Sequence, residues 1–219
     1  MEPQILDEHQ TAFLKTAGDI PFLADNFYLT GGTPLSAFYL FHRYSEDMDF
    51  FSEHEIDMLN LNIAIKKIQE TLRPSKIDFQ QSYNRNLFFL HFNEEILKAE
   101  FTYFPFPRIE EGSSKNGIPI DSLLDIAVNK LFTIYQRTAA RDYIDLYCIC
   151  KEHGYAIQDL IAKAKIKFDW HIDALQLGTQ FVKAEEAQDY PRLIKDIQPK
   201  AWQTFFIGEA KKLRPDIIE

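Results

Sequence analysis

Cysteine is nearly absent from this chain, with Cys148 and Cys150 the whole complement. Two apart in a helical pattern, they point in different directions, so a mutual disulfide is not expected. Buried thiols in a cytoplasmic protein are the expectation. Positive charge is also short, 24 Lys and Arg against 33 Asp and Glu, for a formal net charge of −9. Non-specific nucleic-acid binding is supplied mainly by Lys and Arg neutralising phosphates, so no general affinity of that kind is expected, although a local basic groove stays compatible. No apolar run approaches the roughly 20 residues of a membrane span, and no membrane partner is expected. The opening MEPQILDEHQTAF lacks the basic and apolar regions of a signal peptide. The six histidines are scattered without metal-ligand spacing, which gives no ground for a zinc site. Internal repeats and low-complexity tracts are missing as well.

What is there is globular: 46% of the 219 residues are hydrophobic and 14% aromatic, enough for one large domain or two small ones. The stretch that organises the rest is FYLTGGTPLSAFYLFHRYSEDMDFFS, from Phe27 to Ser52. A short apolar run leads into Gly31 and Gly32. Glycines there can take positive φ and bring backbone N–H groups against a bound anion, with Thr33 placed to cap the helix that follows. Gly31, Gly32 and Thr33 are therefore candidate phosphate contacts. After that helix, Asp47 and Asp49 alternate with Met48 and Phe50 in an extended run, which puts both carboxylates on one face of a strand. Neighbouring carboxylates repel unless a cation lies between them, and hard oxygen ligands suit Mg²⁺, or Mn²⁺ in its place, completed by substrate phosphates.

Fourteen residues separate Gly32 from Asp47. Gly-Gly, a short helix and then D-x-D is the layout of the polymerase-β-like nucleotidyltransferases, and the fuller string GGTPLS…HRYSEDMDFF resembles the nucleotidyl transferase AbiEii toxin family. A second segment, NKLFTIYQRTAARDYIDLYCI, is similar to the same family in its K-L followed by R-D-x-x-D-L. The resemblance implies an α/β (α+β) fold, a mixed sheet with flanking helices and a C-terminal helical domain. It also implies that Lys130 contacts nucleotide phosphates and that Asp142 lies at the active site as a base or as the lysine's partner. Spacing alone favours a solvated Lys130 and an i, i+4 surface pair of Arg141 and Asp145, and the upstream motif reverses that preference.

Along the chain, a short opening helix is expected over Asp7 to Ala17, with Pro21 to Asp25 a link into the motif strand. Pro34 falls in the first turn of the next helix, where proline is well tolerated. Arg43 is either a phosphate contact or a solvated turn arginine, and Ser45 either holds a phosphate or orients Asp47. A covering helix is expected from Asp57 to Leu72, followed by strands over Lys76 to Tyr83, Leu87 to Phe92 and Ile96 to Phe104. In the last of these, Lys98, Glu100 and Thr102 share the polar face. Glu100 is the candidate third carboxylate, as a metal ligand or as the base for the acceptor's proton, or else a solvated strand residue. The superfamily commonly has Asp there.

Pro105 to Pro119, rich in proline and glycine, reads as a linker. The domain expectation is a nucleotidyltransferase-like domain over residues 1–115 and a helical domain over 116–219, closing an active-site cleft. Helices are expected from Asp121 or Ser122 to Gln136 and from Ala140 to Lys151, then over Ile157 to Ile166 and His171 to Val182, with a final one around Trp202. Lys163, Lys165 and Lys167 read as a solvated helix face. The expected chemistry is Mg²⁺-dependent transfer of a nucleoside monophosphate from an NTP to an acceptor hydroxyl or phosphate. By the resemblance the acceptor is RNA, tRNA foremost, and a cognate antitoxin is a partner. The alternatives are a small-molecule acceptor such as an antibiotic, or a non-catalytic nucleotide- or partner-binding module.

Overall fold

The computed structural model describes residues Gln4–Leu213. It separates into two compact units: one takes the chain up to Tyr39 and again Ser45–Ser122, the other takes Leu40–Tyr44 and the chain from Leu123 onward.

In the first unit, α1 (Glu8–Gly18) is opened by a capping box, in which Asp7 accepts from the Gln10 backbone and the Gln10 side chain accepts from Asp7. Helix α2 (Pro21–Asn26) occupies the stretch read as a link, with proline at its first position, where a missing N–H costs nothing. Strand β1 (Tyr28–Thr30) leads to α3 (Gly32–Pro34), which continues as a π-helical turn over Leu35–Leu40. Then come β2 (Asp47–Ser52), α4 (Met58–Leu72, capped by Asp57), β3 (Lys76–Ser82), β4 (Arg85–Phe92) and β5 (Glu95–Tyr103).

The five strands form one mixed sheet in the order β1-β2-β5-β4-β3. Strand β2 runs antiparallel to β1 and parallel to β5, and the remaining pairs are antiparallel. Period-two alternation sorts the side chains. Met48, Phe50, Phe88, Leu90, Leu97, Ala99 and Phe101 join Phe13, Leu14, Leu61, Ile65 and Ile68 of α1 and α4 in one core. Burying each such large side chain contributes about 1.5–3 kcal/mol. The opposite face of the sheet is left to Asp47, Asp49, Lys98 and Glu100.

The proline-rich stretch is not a free linker. It contains the paired strands β6 (Ser114–Lys115) and β7 (Ile118–Pro119), and Ile118 and Ile120 are fully buried in the sheet unit's core. Ile120 bridges Leu29 of β1 in parallel.

The second unit holds α5 (Leu123–Gln136), α6 (Ala140–His153), α7 (Ile157–Phe168), α8 (Ala174–Val182) and α9 (Pro199–Lys212). Its aromatic core stacks Tyr143 on Trp202 and sets Phe206 edge-on to Tyr143, with Phe181 beside Phe206. The segment Leu40–Tyr44 is fastened within this unit by backbone bonds from Ile194 to His42 and from Tyr44 to Arg192. Lys167 is not solvated as expected: it is buried, with its ammonium 2.6 Å from Asp125. Both cysteines are buried and free.

Candidate active site

The glycines and the D-x-D strand meet inside the first unit. Gly31 has φ 79° and ψ −147°, a conformation that L side chains rarely adopt. A Cβ there would lie 2.8 Å from Oδ2 of Asp49, so glycine is needed both for the backbone angle and for the approach of the carboxylate. Gly31, rather than Thr33, precedes the short helix, and Thr33 lies inside it. The buried Thr33 hydroxyl donates to the Asp47 carbonyl and stands 2.9 Å from the Ser45 hydroxyl. A carbonyl can only accept, so the single Thr33 hydrogen goes to Asp47 and the Ser45 hydroxyl donates to Thr33. Gln10 donates to the carbonyls of Ser45 and Glu46, which pins the strand's entry to α1. Ser45 thus orients the Asp47 backbone through Thr33.

The parallel register places Asp47 beside Lys98 and Asp49 beside Glu100, with Thr30 across from Asp49 on the other side. Registered partners point to the same face, so Asp47, Asp49, Lys98 and Glu100 form a four-residue patch. Asp47 and Asp49 are both part-exposed. Lys98 donates to Asp47 Oδ2 at 3.1 Å and lies 3.8 Å from Glu100.

Glu100 is no solvated strand residue, being only 4% exposed. Arg85 forks onto both of its oxygens at 2.6 Å, and the Thr102 hydroxyl adds a 2.8 Å bond. Burial pushes its carboxyl up, while the Arg85 and Thr102 bonds and the Arg85 and Lys98 charges pull it down. The balance lies below the ordinary carboxylate range.

The remaining candidates gather in the second unit. Lys130 of α5 donates to Asp142 at 2.8 Å and lies 2.6 Å from Asp145, both on α6. Arg137 grips the other oxygen of Asp142. Arg43 commits Nε and one terminal nitrogen to Asp145 at 2.7 and 2.8 Å and donates its other terminal nitrogen to the Tyr44 carbonyl. His42 makes a further 2.7 Å bond to Asp145. Burial raises the Asp142 carboxyl, but Lys130 and Arg137 outweigh it and hold the group low. Asp145, completely enclosed, is held well below the usual range by Lys130, Arg43 and His42 despite the opposing effect of burial.

Sequence reasoning did not single out Lys98, Arg85, Asp145 or Arg137. The alternation of β5 already put Lys98 on the face of Glu100. Asp145 is the second aspartate of the R-D-x-x-D-L motif, but nothing local showed its burial or its pairing with Arg43, 102 residues away.

As a hard-cation site, Asp47 and Asp49 fit: two part-exposed carboxylates on one strand face suit an ion completed by substrate oxygens. Glu100 fits less well, since Arg85 and Thr102 already occupy its oxygens. Among the described residues, no group of three or more His, Cys, Asp or Glu is disposed to hold a metal unaided.

Comparison with known proteins bears on the whole chain. An uncharacterised protein of Aquifex aeolicus is 30% identical over 181 residues, covering 81% of this chain and 82% of that one. The crystal structure of JHP933 from Helicobacter pylori matches with a TM-score of 0.62 at 20% identity, over 96% of this chain and 90% of that one. MenT4, a nucleotidyltransferase toxin of Mycobacterium tuberculosis, matches with a TM-score of 0.57 at 14% identity, over 94% and 84%. At these identities the solved structures speak for the fold. The family model described as "Nucleotidyl transferase AbiEii toxin, Type IV TA system" matches residues 12–213, and with nearly the whole chain so matched, the protein belongs to the AbiEii nucleotidyl transferase toxin family.

Proposed function

We propose that this protein transfers a nucleoside monophosphate from an NTP to an acceptor hydroxyl or phosphate of RNA, tRNA foremost, with Mg²⁺ or Mn²⁺ held by Asp47 and Asp49. The observation that carries the reading is the close approach of the Asp49 carboxylate to Gly31, where a Cβ would lie 2.8 Å from Oδ2. Phosphates seated on the turn at Gly31, Gly32 and Thr33 would lie beside Asp49, on the strand face it shares with Asp47. The bound ion would supply charge neutralisation and polarisation at the phosphates. The chain's own part is positioning and electrostatics, which dominate phosphoryl and nucleotidyl transfer.

Within this reading Lys130 binds the leaving phosphates. Its ammonium has three hydrogens, and the contacts to Asp142 and Asp145 account for two. Arg43, Lys130 and Arg137 set against Asp142 and Asp145 give a net positive cluster, which favours an anion. Asp142 acts as the lysine's partner rather than as a base, because its lowered pKa makes it a weak proton acceptor. The same argument weakens Glu100 as a base and favours a role in ordering the patch. The match to a type IV toxin-antitoxin family supports an antitoxin as partner.

The test is incubation of purified protein with each α-³²P NTP, Mg²⁺ and total cellular RNA, beside Asp47→Ala and Asp49→Ala. Label entering RNA with the unaltered protein only is the expected result. Label appearing on small molecules instead would move the acceptor to that class. No transfer to either, from folded protein, would leave a binding module and overturn the proposal.

A further inference from the structure

Lys98 has no part in the proposed chemistry, yet it stands in the middle of the carboxylate patch. It is registered beside Asp47, with its ammonium 3.1 Å from Asp47 Oδ2 and 3.8 Å from Glu100 Oε2. Its side chain is 24% exposed, so the charge is only partly screened by solvent. Arg85 supplies the other positive charge and is locked onto Glu100. The patch therefore carries three negative and two positive charges, and the ammonium rests on one of the two Asp47 oxygens open to a divalent ion.

We propose that Lys98 is a resident counter-cation of this site: it neutralises Asp47 and Glu100 in the free protein and must leave Asp47 Oδ2 before a divalent ion binds there. The inference rests on the reading of Asp47 and Asp49 as ion ligands. It assigns Lys98 a positioning role, acting through Asp47. Two physical terms give the sign. Lys98 competes for a ligand oxygen, and its unit charge repels a divalent ion about 5 Å away. In a water-like dielectric the second term alone changes affinity by roughly tenfold. A lysine can serve in this way because its ammonium is a compact charge on a flexible stem, free to swing aside.

The experiment is Mn²⁺ binding to the full chain without nucleotide, followed by calorimetry and by loss of the free-ion electron paramagnetic resonance signal. The unaltered protein is compared with Lys98→Met, Lys98→Arg and Asp47→Asn, all checked for folding by circular dichroism. The expected result is a rise in Mn²⁺ affinity of tenfold or more for Lys98→Met, near-native affinity for Lys98→Arg, and loss of binding for Asp47→Asn. A merely structural lysine would leave Mn²⁺ affinity unchanged or weaken it in Lys98→Met, and that result overturns the inference while the ion site stands. If neither the unaltered protein nor Lys98→Met binds Mn²⁺, the ion-site reading fails and takes this inference with it.

Discussion

Replacing Asp145 with alanine probes the buried charge cluster of the helical unit most sharply. One carboxylate there receives Arg43 twice, at 2.7 and 2.8 Å, together with His42 at 2.7 Å and Lys130 at 2.6 Å. Arg43 is 4% exposed and Lys130 8%, so water compensates little of either charge when the partner is lost. Removing one member of a buried pair leaves an uncompensated charge and costs about 3–5 kcal/mol. Asp142 continues to hold Lys130, which places most of the loss on Arg43. Asp145→Asn is expected to be nearly as costly, because its amide nitrogen would face the same cations. Urea denaturation followed by far-ultraviolet circular dichroism reads the change, and in a thermal melt the midpoint should fall by about 6–20 °C. A loss below about 1 kcal/mol for Asp145→Ala would refute the account of this cluster as a buried anchor for the Leu40–Tyr44 segment.

Gly31→Ala forces an L residue into backbone angles essentially reserved for glycine, at about 1–3 kcal/mol, and drives a methyl toward the Asp49 carboxylate; transfer activity should fall at least tenfold and the melting temperature by several degrees, and unchanged turnover would contradict the site geometry. Asp142 is held below its ordinary range, so its stabilisation is fully present above about pH 4 and disappears as pH falls through the lower folded value. The stability of Asp142→Asn should therefore vary less than that of the unaltered protein as pH falls from 5 to 2, and parallel curves would refute the assignment. Burial, aided by neighbouring acidic groups, pushes the Cys148 and Cys150 thiols up to about 12. At pH 8 only about one in ten thousand is ionised, so a thiol reagent should label both only after denaturation. Stoichiometric labelling of native protein would show otherwise.

Much of the sheet unit was legible because its signals are local. The opening helix after Asp7, the covering helix after Asp57 and the alternation through β3 to β5 each rest on patterns within one short segment. The misreadings have the same explanation in reverse. Pro21 to Asp25 reads as a link, although Pro21 at a first helical position opens α2. The π-helical turn over Leu35–Leu40 has no side-chain period that distinguishes it from an ordinary helix. The proline- and glycine-rich stretch reads as a linker by composition, while Ile118 and Ile120 bury its end in the core. In the site, the D-x-D strand and the glycines were legible as a motif. Long-range ion pairing was not: Lys167 with Asp125, Arg43 with Asp145 and Arg85 with Glu100 are separated by 42, 102 and 15 residues.

The central claim is that the α-phosphoryl group travels with its nucleoside to the acceptor while the two outer phosphates leave. Parallel reactions with α-³²P and γ-³²P forms of the preferred NTP, Mg²⁺ and RNA separate that from every other use of the triphosphate. The account predicts α-label on RNA, γ-label in free pyrophosphate, and neither event with Asp47→Ala or Asp49→Ala. Label from the γ position on RNA, or transfer that survives loss of both aspartates, would contradict it.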